Sequence, residues 1–491
     1  MLTGSRSLSI RSALIMVFVN RYAMLAINVS ATMLLARLLT PAETGLFSIA
    51  ASVVLLAQAI RDFGIAEFLV QERDLTSAKI RTAFGLTLIL SWSLGAVILL
   101  ARHTVARLYG TPELAGLIAI VAGSFAVAPF SSTVLALLNR EMAFGTLFRI
   151  TLASTVANQT VSITLALFGW GAAALTFGML AANIATALVA SLSLRSWDHV
   201  IPSLREWRAL ASFGAYISGA NIVNQIGART PDLIIGRLLG YQSLGLYNRA
   251  CGIVGMFSEL VVVGVQAVAF PAFSGAHRAG EDVRTPYLRT VTLVSGVMLP
   301  VLAMLSILAG PIVQTLLGDQ WKTSAALVPL LCGGAAFDAL SPMVVPFFNA
   351  TGRVAMVPRI ALATRGTQLL LVAGLAGFGL TWLAAGQIVL GVAGLLINVH
   401  FLRRAIRVRL ADLLLAVQRS AAVAGLTVVL PLLVLAGRAG AHDPAWLTLG
   451  LGLGLGGIAW IAAILALRHP LGREFAALLR EMRLIVRRRV A

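Results

Sequence analysis

Apolar residues arrive along this chain in runs of roughly 20 to 27, separated by short polar or basic breaks, and a helix of about 20 residues is what crosses the roughly 30 Å of a hydrocarbon core. Fourteen such runs can be placed: 12–39, 44–71, 82–106, 114–138, 144–169, 171–194, 210–239, 245–271, 287–317, 324–349, 354–377, 379–402, 417–437 and 445–467. Lipid offers the backbone no hydrogen-bond partner, so a spanning run of this length must be a helix. Alternating ten-residue barrel strands are not seen. The pattern predicts an all-α polytopic membrane protein of about fourteen transmembrane helices.

Composition agrees, because 59% of the chain is hydrophobic and 12% charged, against roughly 25% charged in soluble domains. Cys251 and Cys332 both lie inside apolar runs, so neither a disulfide framework nor a metal quartet is available. Arg6 and Arg11 before an apolar stretch mimic a secretory signal, but Asn20 and Arg21 interrupt it, and the segment reads as an uncleaved first span.

The formal net charge of +19 raises the question of nucleic acid, and the placement of the charges answers it. With the N-terminus inside, 27 of the 38 basic residues fall on cytoplasmic segments, 7 on outer ones, and Arg21, Arg61, Arg229 and Arg365 within spans. The positive-inside rule therefore puts both termini in the cytoplasm. The basic tail from Arg468 to Arg489 carries Leu471, Phe475, Leu478, Leu479, Met482 and Ile485 at near-helical spacing, which predicts an amphipathic helix on anionic lipid headgroups. No nucleic-acid partner is expected.

The halves repeat. A shift of 200 sets Leu34–Leu39 on Ile234–Leu239 and Gly45-Leu46-Phe47 on Gly245-Leu246-Tyr247 without a gap. Shifts of 210 and 208 set Arg149–Ser154 on Arg359–Thr364 and Gly169-Trp170-Gly171 on Gly377-Phe378-Gly379. The expected organisation is an N-lobe of six helices (1–194), an interfacial hinge (195–209), a C-lobe of six (210–402), two further helices (403–467) and the basic tail (468–491). Repeats of even span number share one orientation, with a cavity between them, which is a transporter's plan.

Two motifs carry a resemblance: Arg37-Leu38-Leu39-Thr40-Pro41-Ala42-Glu43-Thr44-Gly45, and Asp62-Phe63-Gly64-Ile65-Ala66-Glu67-Phe68-Leu69-Val70-Gln71. With the layout of the first twelve spans, they resemble the Wzx-type polysaccharide flippases of the multidrug/oligosaccharidyl-lipid/polysaccharide exporter superfamily. The resemblance implies a MATE-like two-lobed bundle in the bacterial cytoplasmic membrane. It also implies a cargo of undecaprenyl-diphosphate-linked oligosaccharide, flipped to the outer leaflet by alternating access for surface polysaccharide assembly. Coupling to a proton or sodium gradient, no cofactor, and a working partnership with polysaccharide polymerase machinery come with it.

A diphosphate crossing hydrocarbon needs buried cations, so the intramembrane arginines are the leading candidates for the cavity. Arg21 and the Arg61-Asp62 dipeptide sit at similar depth on the first two helices, two cations to one carboxylate. Arg229 and Asp232, three apart on one face, allow a local pair. Arg365 and Asp338 both reach mid-membrane on adjacent helices, either as a structural pair or as a substrate contact. Glu259, near the middle of the eighth span without a basic partner in its own turn, is the first choice for ion coupling. Arg149 and Arg359, at matching repeat positions, either snorkel or gate the inward mouth. No residue is assigned to catalysis or metal binding.

A multidrug antiporter of this plan would want a carboxylate-rich, aromatic cavity, which four intramembrane arginines oppose. A lipid II flippase would share the cationic cavity and the span count. A membrane-embedded polymerase or ligase would be expected to carry a large external loop, and the longest external break here is about a dozen residues.

Overall fold

The fourteen apolar runs fall on helical segments, four of them (44–71, 114–138, 287–317 and 324–349) on two successive helices, and the departures from expectation lie in those breaks. The computed structural model describes residues 10–62, 64–193, 201–437 and 444–475, with backbone alone for 10–23, 209, 211–223 and several positions between 260 and 271. In chain order the helices are α1 Ile10–Leu38, α2 Pro41–Asp62, α3 Ile65–Gln71, α4 Ser77–Tyr109, α5 Glu113–Ala122, α6 Ser124–Arg140, α7 Phe144–Leu167, α8 Ala172–Leu192, α9 Trp207–Leu238, α10 Tyr241–Arg278, α11 Arg284–Ile307, α12 Ala309–Leu316, α13 Lys322–Asp338, α14 Val344–Ala350, α15 Met356–Leu375, α16 Leu380–Ile406, α17 Leu410–Gly437 and α18 Ala445–Ala466.

Among the described residues ten helices are long and apolar enough to cross a membrane, with Pro41–Gln71 and Glu113–Arg140 each counted as one. The four other expected runs fall on α1, α9, α10 and the α13–α14 pair. The run 324–349 splits between Asp338 and Val344 because Pro342 has no N–H to donate and drives the residue before it out of helical geometry.

The chain divides into two compact units, Met1–Gly245 and Leu246–Ala491. In the first, α7 packs along α8, α6 on α8, and α2 on α9. Leu35 and Leu39 pack with Ala166 and Ala174, while Val134 and Leu138 pack with Ile150 and Ala190. Thr40 opens α2 with a capping box: the Thr40 backbone N–H donates to Glu43 Oε2 at 2.7 Å and Glu43 N–H donates to Thr40 Oγ1 at 3.2 Å. Pro41 follows at the first helical position, where its missing N–H costs nothing. Gly45 then lets α2 meet the start of α10. A Cβ on Gly45 would collide with the carbonyl oxygen of Tyr241, and one on Gly245 with that of Pro41; each would lie 3.1 Å from the other glycine's backbone nitrogen.

Segment 201–206, read as part of a hinge, is docked. Ser203 N–H donates to the Arg81 carbonyl at 3.2 Å, Ser203 occupies the space that Gly85 leaves on α4, and Leu210 joins the core of Ile65, Phe68, Leu69, Ile80 and Ala83. The rest of the linker, 194–200, and most of the basic tail, 476–491, lie outside the described residues.

In the second unit α11 packs along α17, α13 on α16, and α17 on α18. The turn after α18 is pinned into this group by His469, which is 1% exposed. Its Nδ1 accepts from Leu471 N–H at 3.2 Å and its Nε2 lies 3.0 Å from Ser420 Oγ. Ser295 donates to Ser420 Oγ at 2.8 Å, and Ser420 donates to the Thr292 carbonyl at 3.3 Å. Every donor and acceptor is used only when the ring is neutral with its proton on Nε2. Gly296 leaves room for the ring, and Trp460 Nε1 donates to the Gly296 carbonyl at 3.2 Å. Burial, with Arg419 adding to it, holds His469 below its ordinary value of about 6.5.

Two outcomes follow for stability. A base whose folded pKa is depressed contributes stability fully above its ordinary value and loses it as pH falls through the folded one. The full chain should therefore melt at lower temperature as pH drops below about 6.5, with a shallower pH dependence in His469→Gln; an unchanged slope would assign the loss to another group. Gly45→Ala and Gly245→Ala should each cost about 1–3 kcal/mol by overpacking. Gly116→Ala, which meets open space on α5, should be neutral or slightly stabilising, all three read by thermal unfolding in one detergent.

Candidate functional site

The most unusual local structure is the interruption of the second span. α2 stops at Asp62, Gly64 takes the left-handed conformation at φ 61°, and α3 begins at Ile65. A break at membrane depth is tolerated where it is buried in protein or lines a cavity. The far end of α3 is closed by Arg140 from α6, whose Nη1 donates to the carbonyls of Leu69 at 2.9 Å, Val70 at 3.3 Å, and Glu72.

At the break Arg61, 9% exposed, donates through Nε and Nη2 to Asp62 Oδ1 at 2.9 and 2.6 Å. Neighbours i and i+1 in a continuous helix do not face each other; the end of α2 allows this pair. The Phe125 ring lies 5.8 Å from the guanidinium carbon. A cavity of about 30 Å³ adjoins the pair, walled by Ile65, Ala66 and Leu69 and by the hydroxyl residues Thr87, Ser132 and Thr133. That is room for one water-sized group. Thr87 donates to the Ala83 carbonyl at 2.8 Å, whereas Thr133 Oγ1 is buried without a hydrogen-bond partner. Chemically the site offers a buried cation, an exposed carboxylate and a hydroxyl without a hydrogen-bond partner.

The other residues singled out from sequence are dispersed. Arg21 lies on α1, its side chain outside the described residues. Asp232 accepts from Ser52 on α2 at 3.0 Å, which ties it to a packed neighbouring helix, and Arg229 Nε is buried without a hydrogen-bond partner. Arg365 and Asp338 are within electrostatic reach of one another, and Arg365 Nη1 donates to Gln368 Oε1 at 2.8 Å. Glu259 is on an exposed position of α10. Arg149 and Arg359 are exposed, and each reaches back three residues on its own helix, to Thr146 Oγ1 and Met356 Sδ.

Sequence reasoning missed four contributors. Thr87, Ser132 and Thr133 are small hydroxyl residues in apolar helices, and their only signal is polarity at depth. Arg249, one of the seven basic residues counted from sequence on outer segments, is eight residues into α10, stacked 4.8 Å from the Trp321 ring centre with Nε buried and without a hydrogen-bond partner. Among the described residues no group of three or more His, Cys, Asp or Glu is placed to hold a metal.

With this geometry in view, the chain can be compared with known proteins. A family profile described as "Polysaccharide biosynthesis protein" matches residues 34–326, more than half of the chain and both motifs. The lipopolysaccharide biosynthesis protein WzxC of Escherichia coli (strain K12) is 24% identical over 307 residues, 61% of each chain. The succinoglycan biosynthesis transport protein ExoT of Rhizobium meliloti (strain 1021) is 26% identical over 66% of each, and the teichuronic acid biosynthesis protein TuaB of Bacillus subtilis (strain 168) is 27% identical over 56% of this chain and 57% of its own. The matched region thus spans about three fifths of the length of WzxC and TuaB.

Among solved structures, the lipid II flippase MurJ in an inward closed conformation aligns over 91% of this chain and 98% of its own, with a TM-score of 0.75 at 12% identity. An inward-facing multidrug transporter of the MATE family aligns over 78% and 95%, with a TM-score of 0.62 at 17% identity. At those identities the likeness establishes the fold. The chain is a multi-pass membrane protein of the polysaccharide biosynthesis family, in the Wzx-type branch of the multidrug/oligosaccharidyl-lipid/polysaccharide exporter superfamily.

Proposed function

We propose that this protein flips an undecaprenyl-diphosphate-linked oligosaccharide from the inner to the outer leaflet of a bacterial cytoplasmic membrane, by alternating access, for surface polysaccharide assembly. The observation that carries the reading is Arg61: a buried cation at a broken membrane helix, beside a cavity with an unsatisfied hydroxyl. An intramembrane charge of that kind is a functional site by default. The family supports the cargo class, since WzxC, ExoT and TuaB bear names from lipopolysaccharide, succinoglycan and teichuronic acid synthesis. A lipid II cargo is the second reading, favoured by the extent of the MurJ superposition; the relatives by sequence weigh toward oligosaccharide.

The reciprocal packing of Gly45 and Gly245, 200 residues apart as in the sequence repeat, supports two six-helix repeats. The left-handed glycines Gly171 and Gly379, which open α8 and α16 at the third repeat match, support it too. The excess of basic residues on alternate loops supports cytoplasmic termini. In this reading the chain is a carrier rather than an enzyme, energy comes from a proton or sodium gradient with Glu259 or Asp338 as the titrating group, and Arg149 and Arg359 guard the inward mouth.

Arg61→Ala should abolish surface glycan while membrane levels stay at wild type, measured by lectin or antibody staining beside membrane immunoblots; normal glycan would remove Arg61 from the transport path. The Asp338→Arg/Arg365→Asp exchange should restore folding lost in either single variant if the two are a structural pair. Additive single defects would instead leave both groups to the cargo or the coupling ion.

A further inference from the structure

We propose that Asp62 is a resident stand-in for the cargo's phosphate: it neutralises Arg61 while the site is empty and swings away when a phosphate oxygen takes its place, with the Thr133 hydroxyl completing the anion's coordination. The proposal rests on the flippase reading above and assigns a role to the residue beside its central cation.

Three observations carry it. The first is an asymmetry of burial. The Arg61 side chain is 11% exposed and that of Asp62 58%, so the guanidinium is held by packing and the carboxylate can turn away without crossing packed protein. The second is the way the pair is made. Nε and Nη2 of Arg61 both converge on Oδ1 of Asp62. The same edge of a guanidinium matches two oxygens held side by side, as on a phosphate. Asp62 therefore occupies the fork with one atom, and a phosphate offering two oxygens satisfies it better. The third is the hydroxyl beside it. Thr133 Oγ1 lines the adjoining cavity, is buried, and has no partner, while the cavity of about 30 Å³ has room for one more oxygen-sized group. A buried hydroxyl without a partner is rare and calls for one.

The exchange also answers a problem of charge. An arginine this deep cannot stand bare, because an uncompensated buried charge is strongly unfavourable. Trading one anion for another keeps a negative partner on Arg61 before, during and after passage. A carboxylate that competes for the cation also weakens the hold on the cargo, so that it can be released. The pair sits at the last two residues of α2, immediately before the break.

The test uses the full chain in lipid nanodiscs, with undecaprenyl diphosphate as the probe and binding measured against Asp62→Asn, Thr133→Val and Thr133→Ser. Asp62→Asn should bind the probe about tenfold more tightly or better, because its competitor is gone. Thr133→Val should weaken binding about fivefold, and Thr133→Ser should keep it. Asp62→Asn binding equally or more weakly, with an unchanged melting temperature, overturns the proposal. If that variant does not fold, the threonine pair decides, and equal binding by Thr133→Val and wild type overturns it. Phosphatidylglycerol in the disc should leave probe binding unchanged; displacement of the probe by it would make the subsite one for bulk lipid headgroups and overturn the assignment to cargo. A wild type that binds no undecaprenyl diphosphate, with Asp62→Asn equally silent, counts instead against the flippase reading itself.

Discussion

Hydrocarbon supplies no partner to a peptide group or to a charge, and the structure of this chain follows from meeting that demand from within. Where a helix runs unbroken its own ladder suffices, and those stretches need only be apolar and long. At a few of the places where it starts or stops, a side chain takes over. Thr40 and Glu43 close the opening of α2, Arg140 covers the carbonyls at the end of α3, and Arg61 and Asp62 satisfy each other at the break between them. At the other end of the chain the Thr292–Ser295–Ser420–His469 network does the same for the turn after α18.

This separates the two family motifs by role. The Arg37–Gly45 motif is architectural: its threonine, proline and glutamate build a helix start, and its glycine permits a backbone approach that any Cβ would block. The Asp62–Gln71 motif is the break itself. Its aspartate partners Arg61, its glycine takes the left-handed turn, and Ile65, Phe68 and Leu69 anchor the short helix in the core. A sequence that keeps both motifs thus keeps a close helix crossing and an interrupted span.

The ten long apolar helices were legible because hydropathy over 20 residues reports apolar length directly, and Gly45 and Gly245 stood out because their close approach leaves no room for a side chain. The breaks were not. Asp62-Phe63-Gly64 and Ala339–Met343 lie inside apolar runs, where only Gly64 and Pro342 hint at an interruption. Arg61 and Asp62 stood out as charges at depth, yet they sit at a helix end that hydropathy does not register. Thr87, Ser132 and Thr133 gave no sign, since a short hydroxyl side chain is tolerated in any helix by bonding to its own backbone, as Thr87 does. Ser52 as a partner of Asp232 was hidden for another reason: it lies 180 residues away, and the packing of α2 on α9 brings it near.

The central claim is that a fixed cation at an opened helix selects a phosphate-bearing lipid for passage. The most direct measurement is leaflet exchange in vesicles reconstituted with the full chain. Two fluorescent lipids with the same polyprenyl tail and oligosaccharide, one joined through a diphosphate and one through a neutral linker, are followed by quenching from one side under an imposed ion gradient. The account predicts that the diphosphate lipid crosses faster than in protein-free vesicles and that the neutral lipid does not. Equal movement of the two, or of neither, would contradict it.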